Sequence, residues 1–195
     1  GSGSINGLNP DGLPDSCITT NDLADGAVTP AKLSQPLTLM TAKAYNWNGA
    51  TTNTFIDFTG IPAWAKRITV MFSGVSTSGT SNILLQLGAG AVASSGYTSQ
   101  AVQTGTASTS AATWTSGLVM SGAFSATALY SGCTQVVTLG SSVWASSGTL
   151  GSGTAGNINY SCGTVTLSGT LDRIRITTVN GTDTFDAGSI NILYE

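Results

Sequence analysis

The sequence predicts an all-β fold, an antiparallel β-sandwich or jelly roll preceded by an arm of different character. Three observations carry that expectation. Only 8% of the residues are charged, so the helix formers Glu, Lys and Arg are scarce, while Thr, Val and Ile recur in short runs. Several of these runs alternate apolar and polar residues, and turn-forming pairs separate them at short intervals. Finally, the 195 residues are 41% hydrophobic, enough for one domain with a proper core, and alternation at that content argues against disorder.

Taken in order, Gly1-Ser2-Gly3-Ser4 reads as a cloning remnant and plays no part in the fold. Residues 5–36 form the arm. It opens on INGLNPDGLPDS, dense in turn formers, and continues as CITTNDLADGAVTPAKLSQP. Within that stretch Ile18, Leu23, Val28 and Leu33 recur every five residues, a spacing that suits neither a helix face nor a strand face. An irregular or short-turn segment laying one apolar side chain per step against a neighbour meets it; so does a surface arm packed on its own domain.

Residues 37–195 form the sandwich. Expected strands are 37–45, 54–58, 67–75, 82–87, 117–124, 135–139, 157–161, 164–167, 172–179, 182–185 and 189–194, about eight to ten of them forming the sandwich. The organising stretch is GIPAWAKRITVMFSGV, residues 60–75: a turn at Gly60-Ile61-Pro62, then a run with Ile68, Val70 and Phe72 on one face and Thr69, Met71 and Ser73 on the other. Ser78-Gly79, Ser95-Gly96, Ser131-Gly132 and Ser147-Gly148 read as turns, and Asn180-Gly181 as the clearest two-residue hairpin. No segment carries a helical period with caps.

Composition excludes several functions. The net charge is −3, and six scattered basic residues cannot make a phosphate-binding surface, so no nucleic-acid partner is expected. No apolar run approaches the length of a membrane span, and no basic-plus-apolar leader opens the chain. There is no histidine, which removes Ser-His-Asp and Cys-His arrangements and any His-containing metal site. From Ile68 to Leu171 there is no Asp, Glu, Lys or Arg, so a hydroxyl or thiol there would lack a general base.

Asp57, Asp172, Asp183, Asp186 and Glu195 are the carboxylates from which a glycosidase pair would have to be drawn. Asn9, Asp11 and Asp15 are the one dense oxygen cluster for calcium, and read as a solvated leader instead. The expectation is therefore no enzyme, no cofactor and no metal. Cys133 and Cys162 either pair across two strands or, as the plainer reading, stay as buried free thiols. Trp47 and Trp64 are expected in the core or an interface. In the uncharged middle, Trp114, Tyr130, Trp144 and Tyr160 are candidate ligand-binding residues, because aromatics among small polar side chains make up an adaptable recognition surface. A sugar ring stacks its apolar face on such rings. The competing reading puts these aromatics inside the sandwich.

Specific stretches also carry a family resemblance. ITTNDLADGAVTPAKLS, residues 18–34, is similar to the element found upstream of the tip domains of phage and prophage tail fibres. GIPAWAKRITVMFSGVSTSGT and the ending TFDAGSINILYE resemble the C-terminal domain of the same proteins. The resemblance implies a homotrimer with Ile18, Leu23, Val28 and Leu33 facing a three-fold axis. It implies a chain made in the host bacterial cytoplasm and carried on the virion tail beside other tail proteins. The expected function is host attachment through a bacterial surface glycan or outer-membrane receptor. A structural virion protein without a ligand and a glycan depolymerase are the alternatives.

Overall fold

The computed structural model describes residues 19–47, 49, 53–105, 109–153 and 156–195. They belong to two compact units, Gly1–Pro36 and Leu37–Glu195. In the first unit, Thr20–Asp22 and Pro30–Lys32 form single 3-10 turns. The Thr19 backbone N–H and hydroxyl both donate to the Asp22 carboxylate, at 2.9 and 2.6 Å. Those bonds hold its carboxyl below the ordinary range. Leu23, Val28 and Leu33 are 48%, 54% and 49% exposed. Ile18 lies outside the described residues, as do Asn9, Asp11 and Asp15.

The second unit is built from fourteen described strands in two antiparallel sheets. The larger sheet holds β1 (Thr38–Leu39), β2 (Lys43–Ala44), β4 (Arg67–Thr77), β7 (Tyr97–Gly105), β8 (Thr109–Trp114), β10 (Tyr130–Gly140), β11 (Val143–Ser152), β12 (Asn157–Thr166) and β14 (Phe185–Tyr194). Its order is β1-β14-β4-β10-β11-β12-β7-β8, with β2 also paired to β14. The smaller sheet holds β3 (Phe55–Thr59), β5 (Ile83–Ala89), β6 (Ala91–Val92), β9 (Leu118–Val119) and β13 (Arg173–Thr178). It runs β3-β13-β5-β6, with β9 on β5.

The protein is thus an all-β sandwich, and its strands alternate as the sequence predicts. In β4, Ile68, Val70 and Phe72 are at most 4% exposed, while Thr69, Met71 and Ser73 face outward. The facing sheet answers with Phe58, Ile174 and Leu87 in one cross-strand row and Ile56, Ile176 and Leu85 in the next. All belong to one apolar cluster with Val136, Ile190 and Ile192 from the larger sheet. Burying each such side chain contributes about 1.5–3 kcal/mol, so the two inner faces supply the main cohesion of the fold.

Several local expectations are corrected. The structure has more strands than the eight to ten expected, and β7, β8 and β11 fall where no strand was read. The runs 157–161 and 164–167 are one strand, β12, and 117–124 contracts to the two residues of β9. Ser131-Gly132 and Ser147-Gly148 are not turns but lie inside β10 and β11. Gly132 has φ 146° at a bulge against β4, and a Cβ there would meet the Thr149 carbonyl oxygen at 2.2 Å. Asn180-Gly181 does turn the chain, yet it joins β13 of one sheet to β14 of the other, so it closes no hairpin. There Asn180 Oδ1 accepts from the backbone N–H groups of Thr182 and Asp183, the local bonding that suits Asn to turns.

Candidate ligand-binding face

The outer face of the larger sheet is set by the same alternation. With Val136, Trp144, Leu150 and Val165 turned inward, Gln135, Ser147, Thr149, Tyr160 and Cys162 must turn outward. Register aligns them across the sheet. One row runs Met71, Cys133, Thr149, Tyr160, Val102, Ala111. The next runs Thr69, Gln135, Ser147, Cys162, Gln100, Thr113. No member of either row carries a charge.

Shallow depressions follow these rows. One of about 310 Å³ is lined by Gln100, Val102, Ala111, Thr113, Tyr160 and Cys162, among others. Another of about 410 Å³ lies on the opposite flank of Tyr160, against Cys133, Gln135, Ser147 and Thr149. A third joins Gln100 and Thr113 to Trp114 at the β8 end. The Gln100 and Gln135 amides have no hydrogen-bond partner among the described residues. Other side-chain amides are committed to the fold: Asn53 to the Tyr45 carbonyl, Gln86 to Ser116, Asn159 to Leu150 and Asn191 to Met40.

The four aromatic candidates divide. Tyr160 is 49% exposed at the centre of the face. Trp114 is 36% exposed, but register pairs it with the buried Ser99, so it belongs to the inward side of the edge strand β8 rather than to the outer face. Tyr130 is buried: its ring stacks on Phe124 with centroids 4.3 Å apart, and its oxygen accepts from the Ser125 N–H at 3.1 Å. Burial pushes its phenol above the ordinary value. Trp144 is 5% exposed, with only an edge bordering a separate depression that Lys66, Thr138 and Leu171 also line. Both belong to the core, because their strand positions share the inward face with Val136 and Val165, which takes them off the recognition surface.

Trp47 and Trp64 lie elsewhere. Trp64 is half-buried against the Tyr194 ring at 5.5 Å, whereas Trp47 is 37% exposed beneath the Lys43 ammonium, 3.8 Å from its ring centre. Cys133 and Cys162 are free, as the plainer reading held, but exposed rather than buried. One strand separates theirs, about 9–10 Å across the sheet, which is beyond the reach of a disulfide.

The carboxylates are engaged in the fold. Asp57 receives both arms of the Arg175 guanidinium at 2.7 Å, and Arg175 sits 3.9 Å over the Phe55 ring. Asp172 is held by Arg173 at 2.8 and 3.0 Å and by the Gly90 N–H, which keeps its carboxyl below the usual range. Asp183 accepts from the Ser81 N–H and the Asn180 amide, Asp186 from the Ser76 hydroxyl, and Glu195 pairs with Arg67.

Asp57, Arg175 and Gln86 form one cross-strand row on the smaller sheet, so that row carries charge where the two central outer rows of the larger sheet carry none. Nearby, Lys43 donates to the Asp57 carbonyl, and partial burial lowers its ammonium pKa against the opposing pull of Asp57. Among the described residues no three His, Cys, Asp or Glu cluster to hold a metal ion, and no helix is long and apolar enough to cross a membrane. No protein-family model, curated protein or solved structure matches the chain.

Proposed function

We propose that the chain is the receptor-binding tip of a phage or prophage tail fibre and that it attaches the virion to a bacterial surface glycan. The observation that carries the adhesive reading is the outer face of the larger sheet. There an exposed tyrosine rises among uncommitted amides and hydroxyls, with no charge in the two central rows. Such a face suits reversible, non-covalent contact, since it offers hydrogen-bond partners in number and an aromatic surface for stacking. The tail-fibre motifs at 18–34, 60–80 and 184–195 supply the setting. In that setting three copies wrap their arms about one axis, and three weak sites on one tip raise avidity without further contacts.

The test is attachment of fluorescently labelled full-length protein to a panel of bacterial strains. Saturable binding to a subset of strains, competed by the purified surface polysaccharide of a bound strain, is the expected outcome. Absence of attachment to every strain would leave a structural role in the virion. New reducing ends in that polysaccharide would make the protein a depolymerase instead.

A further inference from the structure

Resting on the adhesive reading, we propose that the outer face of the larger sheet selects an uncharged oligosaccharide and holds it in at least two subsites, one on each side of Tyr160. The two depressions that share Tyr160, of about 310 and 410 Å³, open on opposite flanks of its ring. Gln100 lines one and Gln135 the other, and both belong to a single cross-strand row with Ser147 and Cys162 between them. Three strand spacings separate the two glutamines, about 14 Å, longer than one pyranose ring and suited to a chain of two or more units. Each amide brings donors and an acceptor that have no partner among the described residues.

The neutrality of the ligand follows from charge. A uronate or phosphate moved onto this face would lose hydration with no cation in either row to replace it. Arg67, which register places opposite Val137 at the margin, is already paired with Glu195. A neutral sugar meets no such cost, because its hydroxyls exchange water for amides and hydroxyls while an apolar ring face covers Tyr160. The Cys162 thiol, exposed in the same depression as Tyr160, reports occupancy directly.

The experiment titrates the full chain with neutral hexose and N-acetylhexosamine oligosaccharides and with uronate- and phosphate-bearing counterparts. Oligosaccharides that bind are then used to protect Cys162 from maleimide alkylation. Neutral chains are expected to bind more tightly than their monosaccharides, with affinity changing less than about twofold between about 0.05 and 0.5 M salt. Tyr160→Ala is expected to lose about tenfold in affinity with an unchanged molar mass, and Gln100→Ala to weaken binding without touching the ring. Preference for acidic chains, or binding that leaves Cys162 reactive and ignores both substitutions, would overturn the inference. So would a Tyr160→Ala chain whose molar mass changes, since the face would then be covered by another copy. Attachment to cells without binding any neutral oligosaccharide overturns the inference and leaves the adhesive reading standing, whereas loss of cell attachment altogether removes that reading.

Discussion

Tyr97 shows how much one buried polar atom decides. Its ring is 2% exposed, and its oxygen accepts the Leu87 N–H at 2.8 Å while lying 3.1 Å from the Ala93 carbonyl. The residue thereby ties β7 of the larger sheet to β5 of the smaller one. Tyr97→Phe keeps the ring and strands the Leu87 N–H, and is expected to cost about 1–3 kcal/mol, read as a lower urea midpoint. Burial pushes the Tyr97 phenol up to about 12 and raises that of Tyr130 in the same direction. The folded chain therefore keeps a proton that the unfolded chain releases near pH 10. Stability from this source is fully present below about pH 10 and is lost as the pH rises through about 12, by about 2–3 kcal/mol for Tyr97. Urea midpoints at about pH 8 and about pH 11 check the sign, and the decline is expected to be shallower in Tyr97→Phe.

At the scale of an element, the β10–β11 hairpin is the most exacting local structure. Thr138 pairs with Trp144 and Gly140 with Val143, so Leu139 is an extra residue, bulged out to 69% exposure. Ser141 and Ser142 close the turn with φ of 48° and 65°. Two positive values in succession belong to the mirror-image turn that matches strand twist and favours Asn-Gly, and serine meets that conformation at a steric cost. The double substitution S141N/S142G is expected to stabilise the protein by about 1 kcal/mol, read as a raised urea midpoint with an unchanged slope. A fall in stability would show that the serines serve the turn in some other way.

Across the whole molecule, the two sheet faces that meet water differ in kind. The smaller sheet shows the Asp57–Arg175 pair beside the exposed Phe55 ring, while the two central rows of the larger show hydroxyls, amides and Tyr160. The first unit adds three apolar side chains, Leu23, Val28 and Leu33, each about half exposed, at five-residue intervals. Apolar positions repeated at that exposure call for cover, which the proposed trimer would supply. Light scattering is expected to give a trimer for residues 1–195 and a weaker assembly for residues 37–195, which form a compact unit with their own core. A stable monomer in both cases would remove the axial role of Leu23, Val28 and Leu33.

By itself the sequence determined the fold class and the organising strand. Those features follow from local rules: charge scarcity, a period of two, and turn residues between runs. The strand 67–77 was legible because Ile68, Val70 and Phe72 are large and apolar. Farther across the same sheet the inward positions shrink, through Thr134, Gly148, Ser161, Ala101 and Ala112 in one row. Val136, Ser146, Gly163 and Ser99 make a second such row. A buried serine satisfied by backbone, as Ser99 is by the Val119 N–H, looks in sequence like a solvated one, so β7, β8 and β11 left no apolar signature. The same ambiguity hid which aromatics face water. Only tertiary pairing put Tyr130 and Trp144 inside and Tyr160 outside, because one residue of register decides the face, and register is a property of neighbouring strands rather than of the strand itself.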